Sequence, residues 1–273
     1  LLNIFLIITG SIPKKNTLRN YQRLISQFSE EFGERPLESI SSEEITIFLN
    51  KITAGKKQST KRLRYALISS FFNLMKNSFD PNLKNPCENT LLKKMFRLPK
   101  HPQWKILDKE VVDELIFRTV NLRDRVMLEL MAKGGMRIGE VLKMRPSDIL
   151  ESKIILREPK SGRDVEYVFI PQKLAEKLRE YVRTAGISQE ERIFPISYTT
   201  ARKMVRNAGD VLNVNIKPHD LRRYAATYAS RSGTPLEIVS KLIMRHSNIS
   251  TTQRYLGKVS DVEAMRWIEN LYA

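Results

Sequence analysis

Apolar residues recur every three or four positions over most of this chain, the spacing that lays them along one face of an α-helix. From Lys15 to about Phe32 the residues Leu18, Tyr21, Leu24, Ile25, Phe28 and Phe32 follow it. Ser41-x-x-Glu44 then has the composition of a capping box, opening a helix that runs through Leu49. A third helix is predicted from Gln58 to Asn77, with Leu63, Leu67, Phe71 and Leu74 on one face and Lys57, Lys61 and Arg64 on another. Asn85-Pro86 interrupts the pattern, a short helix follows, and Leu98-Pro-Lys-His-Pro-Gln103, with two prolines, reads as a linker. Beyond it, helices at about 108–118 and 121–133 stop at Gly134-Gly135, and a further one runs from Ile138 to Lys143. Lys153–Arg157 and Val165–Ile170 are rich in β-branched residues and flank Pro159-Lys-Ser-Gly162, the composition of a hairpin turn. Helical spacing returns near 172–184, 199–213, 220–231, 235–243, 250–255 and 261–271. The fold class expected is mainly α with a small antiparallel β-sheet. It is organised as a helical domain over 1–98, a linker over 99–106 and a second domain over 107–273 ending in an amphipathic helix.

Composition narrows the class. With 41% apolar and 28% charged residues the chain is neither collagen-like nor disordered, and 273 residues suit one large domain or two smaller ones. The single Cys87 excludes an intramolecular disulfide framework and a cysteine-ligated metal, and fits a reducing, cytoplasmic compartment. Lys and Arg number 47 against 30 Asp and Glu, a net +17, which favours a polyanionic partner: nucleic acid first, an anionic membrane second. Divided at residue 106, the first part carries 18 basic and 8 acidic residues and the second 29 and 22, so the excess is spread over both. The apolar stretch over 1–9 lacks the positive flank and small-residue cleavage site of a signal peptide and is too short to span a membrane; it reads as packing or non-native sequence.

Candidate chemistry gathers late in the chain. Two of the three histidines lie among arginines, in His219-Asp-Leu-Arg222 and Arg245-His246-Ser247. On a helix, His219 and Arg222 share a face, as a proton-transfer group beside an anion-binding guanidinium requires, although a surface or capping pair produces the same spacing. Read singly, Tyr255 is an amphipathic anchor, Arg137 a partner of Glu140 and Lys160 a solvated turn lysine. Taken together and in order, Arg137 in Gly135-Met-Arg137-Ile-Gly-Glu140, Lys160 in the hairpin turn, His219-x-x-Arg222, His246 and Tyr255 in Thr251-Thr-Gln-Arg-Tyr255 resemble the active-site signature of the tyrosine recombinases, the phage integrase family. The N-terminal part, with Thr17-Leu-Arg-Asn-Tyr21 opening its first helix and Asn85-Pro86 ahead of the linker, resembles that family's core-binding domain, so the likeness covers nearly the whole chain.

The resemblance implies a two-domain DNA clamp and a site-specific recombinase of the minimal, Xer type. It would serve chromosome-dimer resolution or the integration and excision of mobile elements. Tyr255 would attack the scissile phosphorus to form a 3′-phosphotyrosyl intermediate; Arg137 and Arg222 would clamp the phosphate; Lys160 would protonate the departing 5′-oxygen; His219 would assist proton transfer at the nucleophile; and His246 would hydrogen-bond a non-bridging oxygen. Two guanidiniums standing in for a metal ion leave neither metal nor cofactor to be expected. Glu140 is read as the residue that fixes Arg137. Lys56, Lys57, Lys61, Arg62 and Arg64 form the densest N-terminal basic patch, a candidate phosphate-contacting surface or else a solvated helix face. The implied partners are double-stranded DNA carrying an inverted-repeat site and three further copies of the chain. These would form a tetramer on DNA through the C-terminal helix, monomeric or dimeric when free, with no membrane involved. The competing readings are a catalytically silent DNA-binding architectural factor and a type IB topoisomerase-like relaxase. One departure stands out: Met244-Arg245-His246 has an arginine where the family commonly has glycine, placed either to touch a phosphate or to crowd the pocket.

Overall fold

The computed structural model describes residues 15–33, 35–98, 106–157, 165–256 and 261–272. The chain divides into two compact units, residues 1–100 and 101–273.

The first unit is helical: α1 (Lys15–Phe32), α2 (Ser42–Ile52), α3 (Gln58–Ser78) and the short α4 (Thr90–Met95). The capping box expected at Ser41 is present: its hydroxyl accepts from the Glu44 amide at 3.2 Å while the Glu44 carboxylate accepts from the Ser41 amide at 3.0 Å. The core is aromatic, with Phe28 within 6 Å, centroid to centroid, of Phe32, Phe48, Phe71 and Phe72. The buried face of α3 keeps Leu67 and Phe71 of the expected stripe but is rotated away from its other two members. Tyr65, Leu67, Ile68, Phe71 and Phe72 point inward, whereas Leu63 is 43% exposed and Leu74 half-buried. Tyr65 decides that rotation, because its ring stacks on Phe96 at 5.5 Å and its hydroxyl donates to the Cys87 carbonyl at 2.8 Å. Cys87 is buried beneath, and burial pushes its thiol up to about 12. The break at Asn85-Pro86 is an anchored turn: Asn85 Oδ1 accepts from the Cys87 amide at 2.9 Å and its Nδ2 donates to Asn73 at 2.7 Å.

The second unit is built on α6 (Leu122–Ala132), whose residues from Val126 to Ala132 are all buried. Packed against it are α5 (Lys109–Arg118), α8 (Gln172–Thr184) and α10 (Pro218–Arg231). Glu129, buried on this central helix, is paired with Lys177 of α8 at 2.5 Å and Lys133 at 3.1 Å. Helix α6 stops where expected. At Gly135, φ is +58° and a Cβ would come within 3.1 Å of the Ile243 carbonyl, so both the backbone and the space require glycine. After a one-turn α7 (Ile138–Val141), strands β1 (Ile149–Leu150), β2 (Lys153–Arg157) and β3 (Val165–Phe169) form an antiparallel sheet in the order β1-β2-β3, with Lys153 opposite Phe169 and Arg157 opposite Val165. The turn joining β2 to β3, including Lys160, lies outside the described residues.

Helix α9 (Tyr198–Asp210) precedes α10. The segment expected as one helix over 235–243 is instead an α-turn, α11 (Leu236–Ile238), that widens into a π-helix over Val239–Ile243. Helix α12 (Ile249–Gln253) and the terminal α13 (Asp261–Tyr272) complete the unit. Within its own chain, α13 lays the Trp267 indole 3.2 Å from where a Cβ on Gly233 would stand. Among the described residues no helix is long and apolar enough to cross a membrane. A mainly helical chain with one small antiparallel sheet matches the fold class expected from the sequence.

Candidate active site

Five of the six residues singled out in the sequence are described, and four elements bring them together. Pro218 starts α10, which needs no amide donor at its first position, and Asp220 accepts from the Lys217 amide at 2.9 Å to close that end. His219 is thereby set in the first turn, with Arg222 one turn further along the same face. Arg137 precedes α7, and its main-chain amide and guanidinium are both held by Glu140, at 2.8 and 2.6 Å. His246 follows the π-helix, and Tyr255 follows α12, its carbonyl accepting from Thr227 of α10 at 3.2 Å.

The Tyr255 hydroxyl lies 2.7 Å from His219 Nε2. Desolvation, then the positive charges of Arg223 and Arg222, hold the His219 imidazole below its ordinary pKa. The ring is therefore neutral at neutral pH, and Nε2 can take the phenolic proton. The tyrosine ring is seated between His219 and His246, each 5.2 Å away by centroid, and the Arg223 guanidinium lies 5.8 Å from its centroid.

Arg222 is the floor of the site. It is 1% exposed, and its two terminal nitrogens donate to the carbonyls of Gly135 and Met244. Burial, then the charges of Arg137 and Arg245, push it down to about 9, which leaves it protonated at neutral pH. Its Nε has no hydrogen-bond partner among the described residues, and each terminal nitrogen carries a second hydrogen. Arg137 stands beside it with its side chain 29% exposed.

His246 is held from behind. Its Nδ1 is 2.9 Å from the Thr252 hydroxyl, which donates to the Ser240 hydroxyl at 2.9 Å, and its amide donates to the Ser240 carbonyl at 2.9 Å. Burial, then Arg222, Arg137, Arg245 and His219, push its pKa down to about 4. The imidazole is therefore neutral, and the hydroxyl pair sets its tautomer. Thr252 donates to Ser240, so Nδ1 donates to Thr252 and Nε2 is an acceptor; only if the Thr252 hydroxyl turns its proton to Nδ1 does Nε2 carry the hydrogen and donate outward.

The structure also shows what the sequence alone missed. Arg223 and Thr252 carry no motif signal beyond adjacency to Arg222 and membership of the Tyr255 segment, and Ser240 carries none. Arg245 does not reach outward to a phosphate. Its side chain is 2% exposed and donates to Glu140 at 2.8 Å. Glu140 is correspondingly more than a clip for Arg137. Burial opposes its ionisation, yet the charges of Arg245, Arg137 and Arg222 outweigh it and hold its carboxyl below the usual range.

The basic patch of the first unit is mixed. Lys56, Lys57 and Arg62 are exposed, Lys61 is half-buried, and Arg62 lies 5.1 Å over the Tyr65 ring. Arg64 is half-buried and donates to the Asn20 carbonyl at 3.1 Å, a tie to α1.

Residues 105–260 match the model of the phage integrase family, and residues 7–78 match the N-terminal SAM-like domain of phage integrases. The chain belongs to the phage integrase family. Among its relatives, a tyrosine recombinase of Pseudothermotoga lettingae is 31% identical over 236 residues, covering 82% of this chain and 80% of that protein. The tyrosine recombinase XerA of Pyrococcus horikoshii is 28% identical over 253 residues, covering 88% and 82%. The fold recurs in the Tn1549 transposon integrase solved with transposon right-end DNA, with a TM-score of 0.76 at 16% identity over 100% of this chain and 98% of that one. It recurs in a λ integrase dimer bound to a core site, with a TM-score of 0.71 at 19% identity over 95% and 98%. As a phage integrase family member the chain is a tyrosine recombinase, an enzyme that breaks and rejoins DNA strands in site-specific recombination.

Proposed function

We propose that the reaction runs through Tyr255 on double-stranded DNA, with the five described residues and Lys160 dividing the work. The observation that carries this reading is the 2.7 Å contact between the Tyr255 hydroxyl and a neutral His219. The phenolic oxygen attacks the scissile phosphorus, its proton passes to His219 Nε2, and the bond from phosphorus to the 5′-oxygen breaks. Lys160 gives a proton to that oxygen, leaving a 3′-phosphotyrosyl link and a 5′-hydroxyl. Arg137 and Arg222 neutralise the charge that builds on the non-bridging oxygens, and His246 donates to one of them from Nε2 once the Thr252 hydroxyl turns its proton from Ser240 to Nδ1. Rejoining is the reverse. The energy of the broken bond is kept in the phosphotyrosyl link, so no nucleotide is consumed.

Residues 1–98 serve as the core-binding domain, 99–106 as the linker and 107–273 as the catalytic domain, with Lys56, Lys57, Lys61 and Arg62 contacting phosphates. Arg64 contributes from behind, through α1. Four copies assemble on an inverted-repeat site, and α13 passes from its own chain to a neighbour. The biological use is chromosome-dimer resolution or integration and excision of a mobile element, in the cytoplasm where such DNA is found.

Covalent trapping tests the core of this proposal. The wild type and Tyr255→Phe are incubated with a library of nicked duplexes, denatured in detergent, and the DNA that remains attached is sequenced. Adducts focused on an inverted repeat with the wild type, and none with Tyr255→Phe, are expected. Scattered adducts point instead to a relaxase, and DNA binding without any adduct to a silent architectural factor.

A further inference from the structure

Arg245 sits where glycine is common in the family, and its backbone keeps the glycine-like conformation: φ is +50°, in the left-handed region. A side chain in that conformation is strained, so its contacts have to repay the strain. They are numerous and all internal. Nη2 donates to Glu140 Oε2 at 2.8 Å and to the Gly135 carbonyl at 3.3 Å, and Nη1 donates to the Ile243 carbonyl at 2.8 Å. The groups it meets are the ones that hold both proposed phosphate clamps. Glu140 binds the amide and guanidinium of Arg137, while the Gly135 carbonyl accepts from Arg222. Arg222 takes its other carbonyl from Met244, the residue before Arg245.

One continuous path therefore runs from Arg137 through Glu140, Arg245 and the Gly135 carbonyl to Arg222. Charge argues in the same direction. Three guanidiniums act on the Glu140 carboxylate, which is shared between Arg245 and Arg137, while the buried Glu166 adds a further negative charge near Arg245. Without Arg245 the whole carboxylate charge falls on Arg137, and its pull on an approaching phosphate is weakened.

We propose that Arg245 is a positioning residue that sets the spacing and charge of Arg137 and Arg222 by acting through Glu140 and the Gly135 carbonyl, without touching DNA itself. This rests on the reading in which those two arginines hold the scissile phosphate. Glycine would relieve the backbone at φ +50° but cannot supply the links, so the inward arginine serves the site and not the turn.

The test uses the full chain and the nicked duplex recovered by trapping. Three quantities are measured: the single-turnover rate of adduct formation, the DNA dissociation constant and the melting temperature. Arg245→Met removes the charge but keeps most of the length, Arg245→Gly removes the strain as well, and Arg245→Lys keeps the charge. Arg245→Met and Arg245→Gly are expected to slow adduct formation by about 10- to 100-fold, with DNA affinity within about threefold of wild type. Arg245→Lys should recover most of the rate. Combining Arg245→Met with Glu140→Gln should slow the reaction no further than the slower single variant, because both act on one path.

Adduct formation within about twofold of wild type in a folded Arg245→Gly overturns the proposal. So does a loss of DNA affinity that matches the loss of rate, which would make Arg245 a phosphate contact. A rate loss that follows the melting temperature and is not recovered by lysine would reduce Arg245 to a purely structural residue. Failure of the underlying reading looks different: wild type itself then forms no adduct, or Tyr255→Phe forms one.

Discussion

Replacing Thr252 by valine isolates the hydroxyl relay behind His246, because valine keeps the β-branched shape and removes only the oxygen. Thr252 is fully buried, with its hydroxyl 2.9 Å from both His246 Nδ1 and Ser240 Oγ. Two hydrogen bonds with a net worth of about 1 kcal/mol each disappear. Buried His246 Nδ1 and Ser240 Oγ are left facing a methyl group, and an unsatisfied buried group adds about 1 kcal/mol or more. Ser240 can recover part of this by rotating its hydroxyl, so the expected loss of stability is about 2–4 kcal/mol. Thr252→Ser keeps the hydroxyl and loses one methyl, a loss of about 1 kcal/mol. Urea unfolding of the full chain, followed by circular dichroism, gives both values. Adduct formation should fall in Thr252→Val as well, because the hydroxyl whose turn to Nδ1 lets Nε2 donate is gone. The reasoning is refuted if Thr252→Val unfolds within about 0.5 kcal/mol of wild type, or if Thr252→Ser is the less stable of the two, since either result places the value of Thr252 in its methyl group.

Three further outcomes are expected. The folded-state pKa of His246, about 4, is depressed below its unfolded value, so the unfolded chain takes up that proton first as pH falls; the contribution is complete above about pH 6.5 and is lost towards pH 4. After allowance for solvent screening it amounts to about 2 kcal/mol, read as the difference in pH dependence of unfolding between wild type and His246→Gln. Gly135→Ala should destabilise by at least about 1–2 kcal/mol and slow adduct formation, because φ +58° and the 3.1 Å approach to Ile243 force a shift in the carbonyl that holds Arg222; equal melting temperatures and rates would contradict this. Alanine at Lys56 or Lys57 should lower the slope of log affinity against log salt by about 1 without altering stability, whereas Arg64→Ala should lower the melting temperature through its lost bond to Asn20, a contrast read from salt titrations and melting curves.

The sequence by itself determined the features that depend on neighbours along the chain. The Ser41–Glu44 capping box, the stop at Gly134-Gly135 and the pairing of β2 with β3 rest on hydrogen bonds and backbone freedoms that span a few residues, so local composition suffices. The ordered set Arg137, His219, Arg222, His246 and Tyr255 was legible for another reason: each side chain has a chemistry with few substitutes. Tertiary structure alone decided which stripe of α3 turns inward, because its helical repeat offers apolar residues on more than one face and the Cys87 carbonyl and Phe96 ring select Tyr65 over Leu63. It alone decided that residues 239–243 widen into a π-helix, which offers the Ser240 carbonyl and hydroxyl to His246 and Thr252. It also decided the direction of Arg245. An arginine beside His246 reads in sequence either as a phosphate contact or as a bulky group that crowds the pocket. A left-handed backbone turns it inward, and a buried carboxylate 105 residues earlier in the chain receives it, because desolvated charge has to be met by opposite charge wherever the fold brings one within reach.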